Sequence, residues 1–126
     1  AAKAFKETRY HVRHSGEWII KLGDGTEESH RRVQRALDHA WRYTAELFVG
    51  DEVEQRLAAQ GLAVDPASVR DAWSAQVRDV ANTATLTVPA DGFMARGGRV
   101  GKHTEHLGHL LAEMQIVARS HPGAKW

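Results

Sequence analysis

Two long runs of apolar residues at steps of three and four, separated by a Gly-Asp-Gly turn, constrain this chain more than any other feature of it. Residues 1–22 place Ala1, Ala4, Phe5, Thr8, His11, Val12, Ser15, Trp18, Ile19 and Leu22 along one stripe of a helix. Gly23-Asp24-Gly25 ends that helix, on the expectation that glycine supplies the positive φ of a helix C-terminus. Thr26 then caps a second helix, expected over 26–48, whose first turn holds Glu27 and Glu28 at the positive end of the dipole. Its stripe is His30, Val33, Leu37, Ala40, Trp41, Thr44, Leu47 and Phe48. Helices joined by about three residues pack antiparallel. This register sets His11 near Leu37 and His30 near Trp18.

The remainder also reads as helix. Asp51 with Glu54 three residues on is a capping box, opening a short helix over 51–60. Asp65-Pro66 is a cap followed by an N1 proline, opening a helix over 66–83. Residues 84–101 carry turn chemistry at Pro89, Asp91-Gly92 and Gly97-Gly98. An irregular segment of that length usually serves as a lid, a binding loop or a partner contact. A last helix over 102–120 has Leu107, Leu110, Leu111, Met114 and Val117 on its core side. The only β-like run is Thr85 to Val88, so the class is all-α and the 126 residues make one small domain.

Composition excludes whole classes of function. With 42% hydrophobic and 26% charged residues the chain is not intrinsically disordered. A net charge of +1 offers no global attraction to nucleic acid or membrane surfaces. The absence of cysteine removes disulfides, thiolate metal sites and cysteine nucleophiles. No apolar run approaches the ~20 residues of a membrane span. The chain opens without Met, in what already reads as helix, as a piece of a longer protein would.

Three polar constellations invite a chemical reading. Glu27-x-x-His30 has the i, i+3 spacing by which ferritin-like di-iron proteins present a carboxylate and an imidazole to one metal. It lies in the first turn of its helix and has no second copy, so a dipole-favouring glutamate and a partly buried histidine beside a turn are the preferred account. Glu7 and His11 share a face at i, i+4, but Tyr10 stands where such a motif places histidine. The Glu7 cluster and His30 are several turns apart in the hairpin and cannot share an ion. On the last helix, His106, His109 and Glu113 fall on one stripe, resembling a two-histidine, one-carboxylate set. Three ligands over two turns of one helix rarely converge, and a polar face that pairs with another helix is preferred. The loop Arg96 to Lys102 is glycine-rich and basic, yet lacks the first glycine and the Ser/Thr of a Walker A loop. The four tryptophans are spaced on helices rather than as a base-stacking platform.

The stretches KETRYHVRHSGEW, LGDGTEESHRRVQ, WRYTAELF, GKHTEHLGHLLAEMQ and HPGAKW resemble the C-subunit family of ring-1,2-phenylacetyl-CoA epoxidases, bacterial multicomponent oxygenases of aerobic phenylacetate breakdown. The resemblance covers essentially the whole chain and corresponds to the C-terminal half of such a protein. It implies a ferritin-like helical bundle and a cytoplasmic, non-catalytic structural subunit. Its partner would be a paralogous catalytic A subunit that holds the di-iron centre and the acyl-CoA substrate, with further subunits in the complex. Electrons would come from NADPH through a separate reductase. No cofactor is expected in this chain, nor any nucleic-acid or membrane partner. Family chains begin well upstream of Ala1 with further bundle helices, so self-association, or pairing with its own N-terminal half, is expected for the apolar stripes.

Two other readings stand beside this one. One is a ferritin-like metal-binding oxygenase in its own right, with Glu27, His30, Glu7 and His11 as ligands. The other is a free-standing helical module. Under the epoxidase reading, the contact with the A subunit is expected around Phe93, Arg96, Arg99, His106, His109 and Glu113, because interfaces favour arginine and aromatic anchors.

Overall fold

A computed structural model describes residues 2–125. Among them are five α-helices and no strand: α1 (Ala2–Gly23), α2 (Glu27–Trp41), α3 (Glu52–Ala59), α4 (Arg70–Thr83) and α5 (His106–Ser120). Short 3₁₀ turns cover Ala45–Phe48, Pro66–Val69 and Gly98–Val100. The chain divides into two compact units at Ala95 and Arg96.

In the first unit α1 and α2 form the hairpin, and α4 packs against α1. The caps follow the sequence chemistry. Thr26 Oγ1 accepts from the Ser29 amide at 3.2 Å. Asp51 and Glu54 exchange both bonds of the capping box, at 2.9 and 3.1 Å. Asp65 accepts from the Ala67 amide at 3.0 Å, with Pro66 in the first turn.

Three local expectations are corrected. The turn glycines are not there for positive φ, which Gly23 and Gly25 do not adopt. Gly23 is required for space: a Cβ on it would lie 2.4 Å from the Ala84 carbonyl oxygen and 2.8 Å from the Ala84 Cβ. The second helix stops at Trp41 rather than near 48. The Arg42 carbonyl, which a continuing helix would offer to residue 46, accepts instead from the Ala95 amide at 2.8 Å. Thr44 turns its amide and hydroxyl back onto the Trp41 carbonyl, at 3.0 and 2.8 Å. Finally, α5 begins at His106, not Lys102, because the Lys102 amide closes a loop onto the Gly97 carbonyl at 2.8 Å.

The buried core is small in both senses. Ala81, Ala84 and Leu86 are buried together, with Ile20, Val33, Leu37 and Val88 packed round them. Beside it, Trp41 stacks on Trp73 (centroids 5.9 Å apart), Phe48 meets Trp73 edge-on at 5.1 Å, and the Arg70 guanidinium covers Phe48. By contrast, Phe5 and Trp18 on the α1 stripe are 68% and 50% exposed.

The segment from Thr85 to Ala95 forms no strand; it is a strap lying along α2 and running in the same direction. Thr85 reaches His30. Gln34 clamps Thr87 from both sides, donating to its carbonyl at 2.9 Å and accepting from its amide at 2.8 Å. Trp41 Nε1 donates to Asp91 at 3.2 Å, and the Arg42–Ala95 bond completes the series. The side-chain amide of Gln34 thus plays the part a neighbouring strand would play.

Candidate functional site

His30, half of the Glu27-x-x-His30 pair, sits where α1 ends, α2 begins and α4 gives way to the strap. Its Nδ1 lies 2.7 Å from the Gly23 carbonyl oxygen, so that nitrogen carries the proton and donates. The Thr85 hydroxyl stands 3.4 Å from both that oxygen and Nδ1. Thr85 holds φ +58, a left-handed conformation uncommon for a β-branched residue. A buried Gly23 and a fully covered Ala84 close the joint. His30 therefore ties three elements together through a backbone carbonyl, while Glu27 is exposed.

The remaining candidates are distributed rather than gathered. Glu7 and His11 are exposed on α1. Tyr10 stacks on His14 at 5.6 Å and meets His11 edge-on, which makes this an aromatic surface cluster. Among the described residues, no three histidine or carboxylate side chains converge as a metal site would need. The di-iron centre that the ferritin-like reading brings with it is therefore not fitted by Glu7, His11, Glu27 and His30: one histidine is committed to a carbonyl and the other three side chains face solvent.

Of the residues expected at a partner contact, Phe93 belongs to the first unit, where the Arg42 guanidinium lies 5.0 Å from its ring centroid. Arg96, Arg99, His106, His109 and Glu113 belong to the second unit and are exposed there. Gly97 and Gly101 have φ of +103 and +88, which shape the loop carrying Arg99.

Two features of the first unit escaped sequence reasoning. One is an apolar groove of ≈ 510 Å³ between α1, α2 and α4, floored by Val12, Ile19, Val33, Leu37, Val77 and Val80. The helical stripes announce its residues and their need of cover, but not that three helices would shape them into one groove. The other is the polar surface of α2. There Glu28 holds Arg31 and Arg32 together, and their guanidiniums keep its carboxyl below the usual carboxylate range. No helix among the described residues is long and apolar enough to cross a membrane.

Comparison with known proteins bears on this arrangement. The family model described as "Phenylacetic acid catabolic protein" matches residues 1–126. The chain is 49% identical over 126 residues to the C subunit of the 1,2-phenylacetyl-CoA epoxidase of Escherichia coli (strain K12). That alignment takes in 100% of this chain and 51% of the relative, so the chain spans about half the length of the protein it matches. An all-helical architecture of this kind agrees with a ferritin-like bundle. On the match across its whole length, the chain belongs to the phenylacetic acid catabolic protein family.

Proposed function

We propose that this chain is part of a non-catalytic structural subunit in a phenylacetyl-CoA epoxidase complex. In this reading it stabilises and positions a separate di-iron catalytic subunit in the cytoplasm, and itself holds no cofactor. The observation that carries the proposal is the 49% identity, across every residue of the chain, to a relative named as the C subunit of that epoxidase. The fate of His30 supports it. The histidine of the one Glu-x-x-His motif acts as a structural tie to Gly23 rather than as one of a converging ligand set.

The test is to express the full-length protein with and without the catalytic subunit. A stable complex should form, with iron in the catalytic subunit alone, and epoxidation should need both. Two irons per copy of this protein, lost together in Glu27→Ala/His30→Ala, would overturn the reading. So would catalytic turnover by this protein alone.

A further inference from the structure

The last turns of α2 and the turn after it carry two arginines that have no carboxylate partner among the described residues. Arg35 and His39 share a face of α2 at a step of four, and Arg42 and Tyr43 follow in the turn just past its end at Trp41. The rings confirm the alignment: His39 meets Tyr43 edge-on at 6.4 Å, and the Arg42 guanidinium lies 5.5 Å from the Tyr43 centroid and 5.0 Å from that of Phe93. Arg35 and His39 also line a shallow groove with Arg31 on the same helix.

Among the described residues, no carboxylate along this face forms an ion pair with Arg35 or Arg42. Glu28 takes Arg31 and Arg32, Asp38 accepts from Gln34 at 2.8 Å, and Asp91 accepts from Trp41. Among the described residues Arg35 has no ion pair, hydrogen bond or ring contact, and Arg42 has rings but no carboxylate. The helix dipole favours basic residues at the C-terminus, hence His39 in the last turn and Arg42 at the cap, but its influence has faded before Arg35. A guanidinium held over rings keeps its N–H edge open, and that edge matches a carboxylate with two parallel bonds. Arg42 is also held in place, since the Ala95 amide fixes its carbonyl. Less freedom is then lost when a ligand arrives. Phe93, 74% exposed beside it, supplies the apolar anchor.

We propose that the Arg35–His39–Arg42–Tyr43 patch with Phe93 is a docking face for an acidic, carboxylate-bearing segment of the catalytic partner. Charge complementarity selects that occupant. Two guanidiniums and an imidazole within about 10 Å are too few and too local for a nucleic-acid track, and the whole chain carries only +1. The proposal rests on the functional reading above and adds to it the face and the chemistry of contact.

The experiment titrates the full-length protein against the purified catalytic subunit at low and at physiological salt. Arg35→Glu breaks no contact within the molecule, so it should fold normally and weaken binding by about tenfold, with a shallower salt dependence. Arg35→Glu/Arg42→Glu should weaken it further, and Phe93→Ala should weaken it at both salt concentrations. Lys3→Glu/Lys6→Glu, which changes the charge on α1 by as much as the double arginine variant does on this face, should leave binding unchanged. If the wild-type proteins do not associate at all, the functional reading falls and this inference with it. If they associate and Arg35→Glu binds as tightly as wild type, this inference alone is overturned. It is overturned equally if the Lys3/Lys6 variant loses as much as Arg35→Glu/Arg42→Glu.

Discussion

Adding one methyl group at Gly16 and one at Gly23 should move stability in opposite directions. Both glycines lie in α1, and neither has a positive φ. Alanine in place of a helical glycine therefore brings its ordinary gain, at most about 1 kcal/mol. At Gly16 the new Cβ would sit 3.6 Å from Val80 Cγ2, an ordinary contact, so the gain is kept. At Gly23 it would sit 2.4 Å from the Ala84 carbonyl oxygen, roughly 1 Å inside normal contact. Neither partner is a flexible side chain, so α1 and α4 must separate. Overpacking of this kind costs about 1–3 kcal/mol. The shift also weakens the His30 bond to the Gly23 carbonyl, worth about 1 kcal/mol. Gly16→Ala should thus raise the urea midpoint and Gly23→Ala lower it, a separation of about 2–4 kcal/mol between the two. Tryptophan fluorescence follows the transition, since Trp41 and Trp73 stack in the first unit. Ala84→Gly added to Gly23→Ala removes the methyl–methyl clash at 2.8 Å but leaves the carbonyl, so it should restore only part of the loss. A Gly23→Ala variant as stable as Gly16→Ala would refute the close-approach reasoning.

Four further outcomes are expected. Gln34→Ala removes both bonds to Thr87 and should cost about 1–3 kcal/mol, with faster hydrogen exchange at the Thr87 amide; unchanged exchange there would show that the clamp holds nothing. Glu28 has a lowered folded pKa through Arg31 and Arg32, so its contribution is complete above the ordinary glutamate range and lost as pH falls through the folded value. Glu28→Gln should therefore flatten the acid limb of the stability profile, and a carboxyl titration by NMR with its midpoint at or above the unfolded value would contradict this. Arg96→Ala/Arg99→Ala in the full-length protein should weaken capture of the catalytic subunit, and capture undiminished with normal folding counts against the second unit as a contact. The open groove of ≈ 510 Å³ leads us to expect self-association of the 126-residue chain at low micromolar concentration, and a monodisperse, cooperatively melting monomer by sedimentation would show that it needs no cover.

The legible parts of this fold were those written in neighbouring residues. Thr26, the Asp51–Glu54 box and Asp65-Pro66 mark helix starts because a cap bonds to amides two or three residues away. The end of α2 was not legible, since apolar periodicity continues through the 3₁₀ turn Ala45–Phe48, and what stops the helix is the Ala95 amide, far along the chain. For the same reason the glycine turn was found while its cause was misjudged: Ala84 supplies the constraint on Gly23. His30 was legible as half-buried, and its commitment to a carbonyl was not. The Arg35–His39–Arg42–Tyr43 spacing is plain in the residues, but a basic face reads as solvated until no carboxylate among the described residues is seen to pair with Arg35 or Arg42.

The strap along α2 has a consequence for how the molecule opens. Its ties join residues 55, 53 and 50 apart in sequence. Forming the first of them closes a loop at an entropic cost of about 3.5 kcal/mol from the length term alone. Once one is made, the next lies only a few residues on and closes a loop several times shorter. Because strap and helix run the same way, the ties engage in sequence order from either end, as a zip does. Single ties therefore have little independent existence. The Thr87 and Ala95 amides, at separate points along the strap, should lose protection together, and the segment is either fastened along α2 or released from it as a whole.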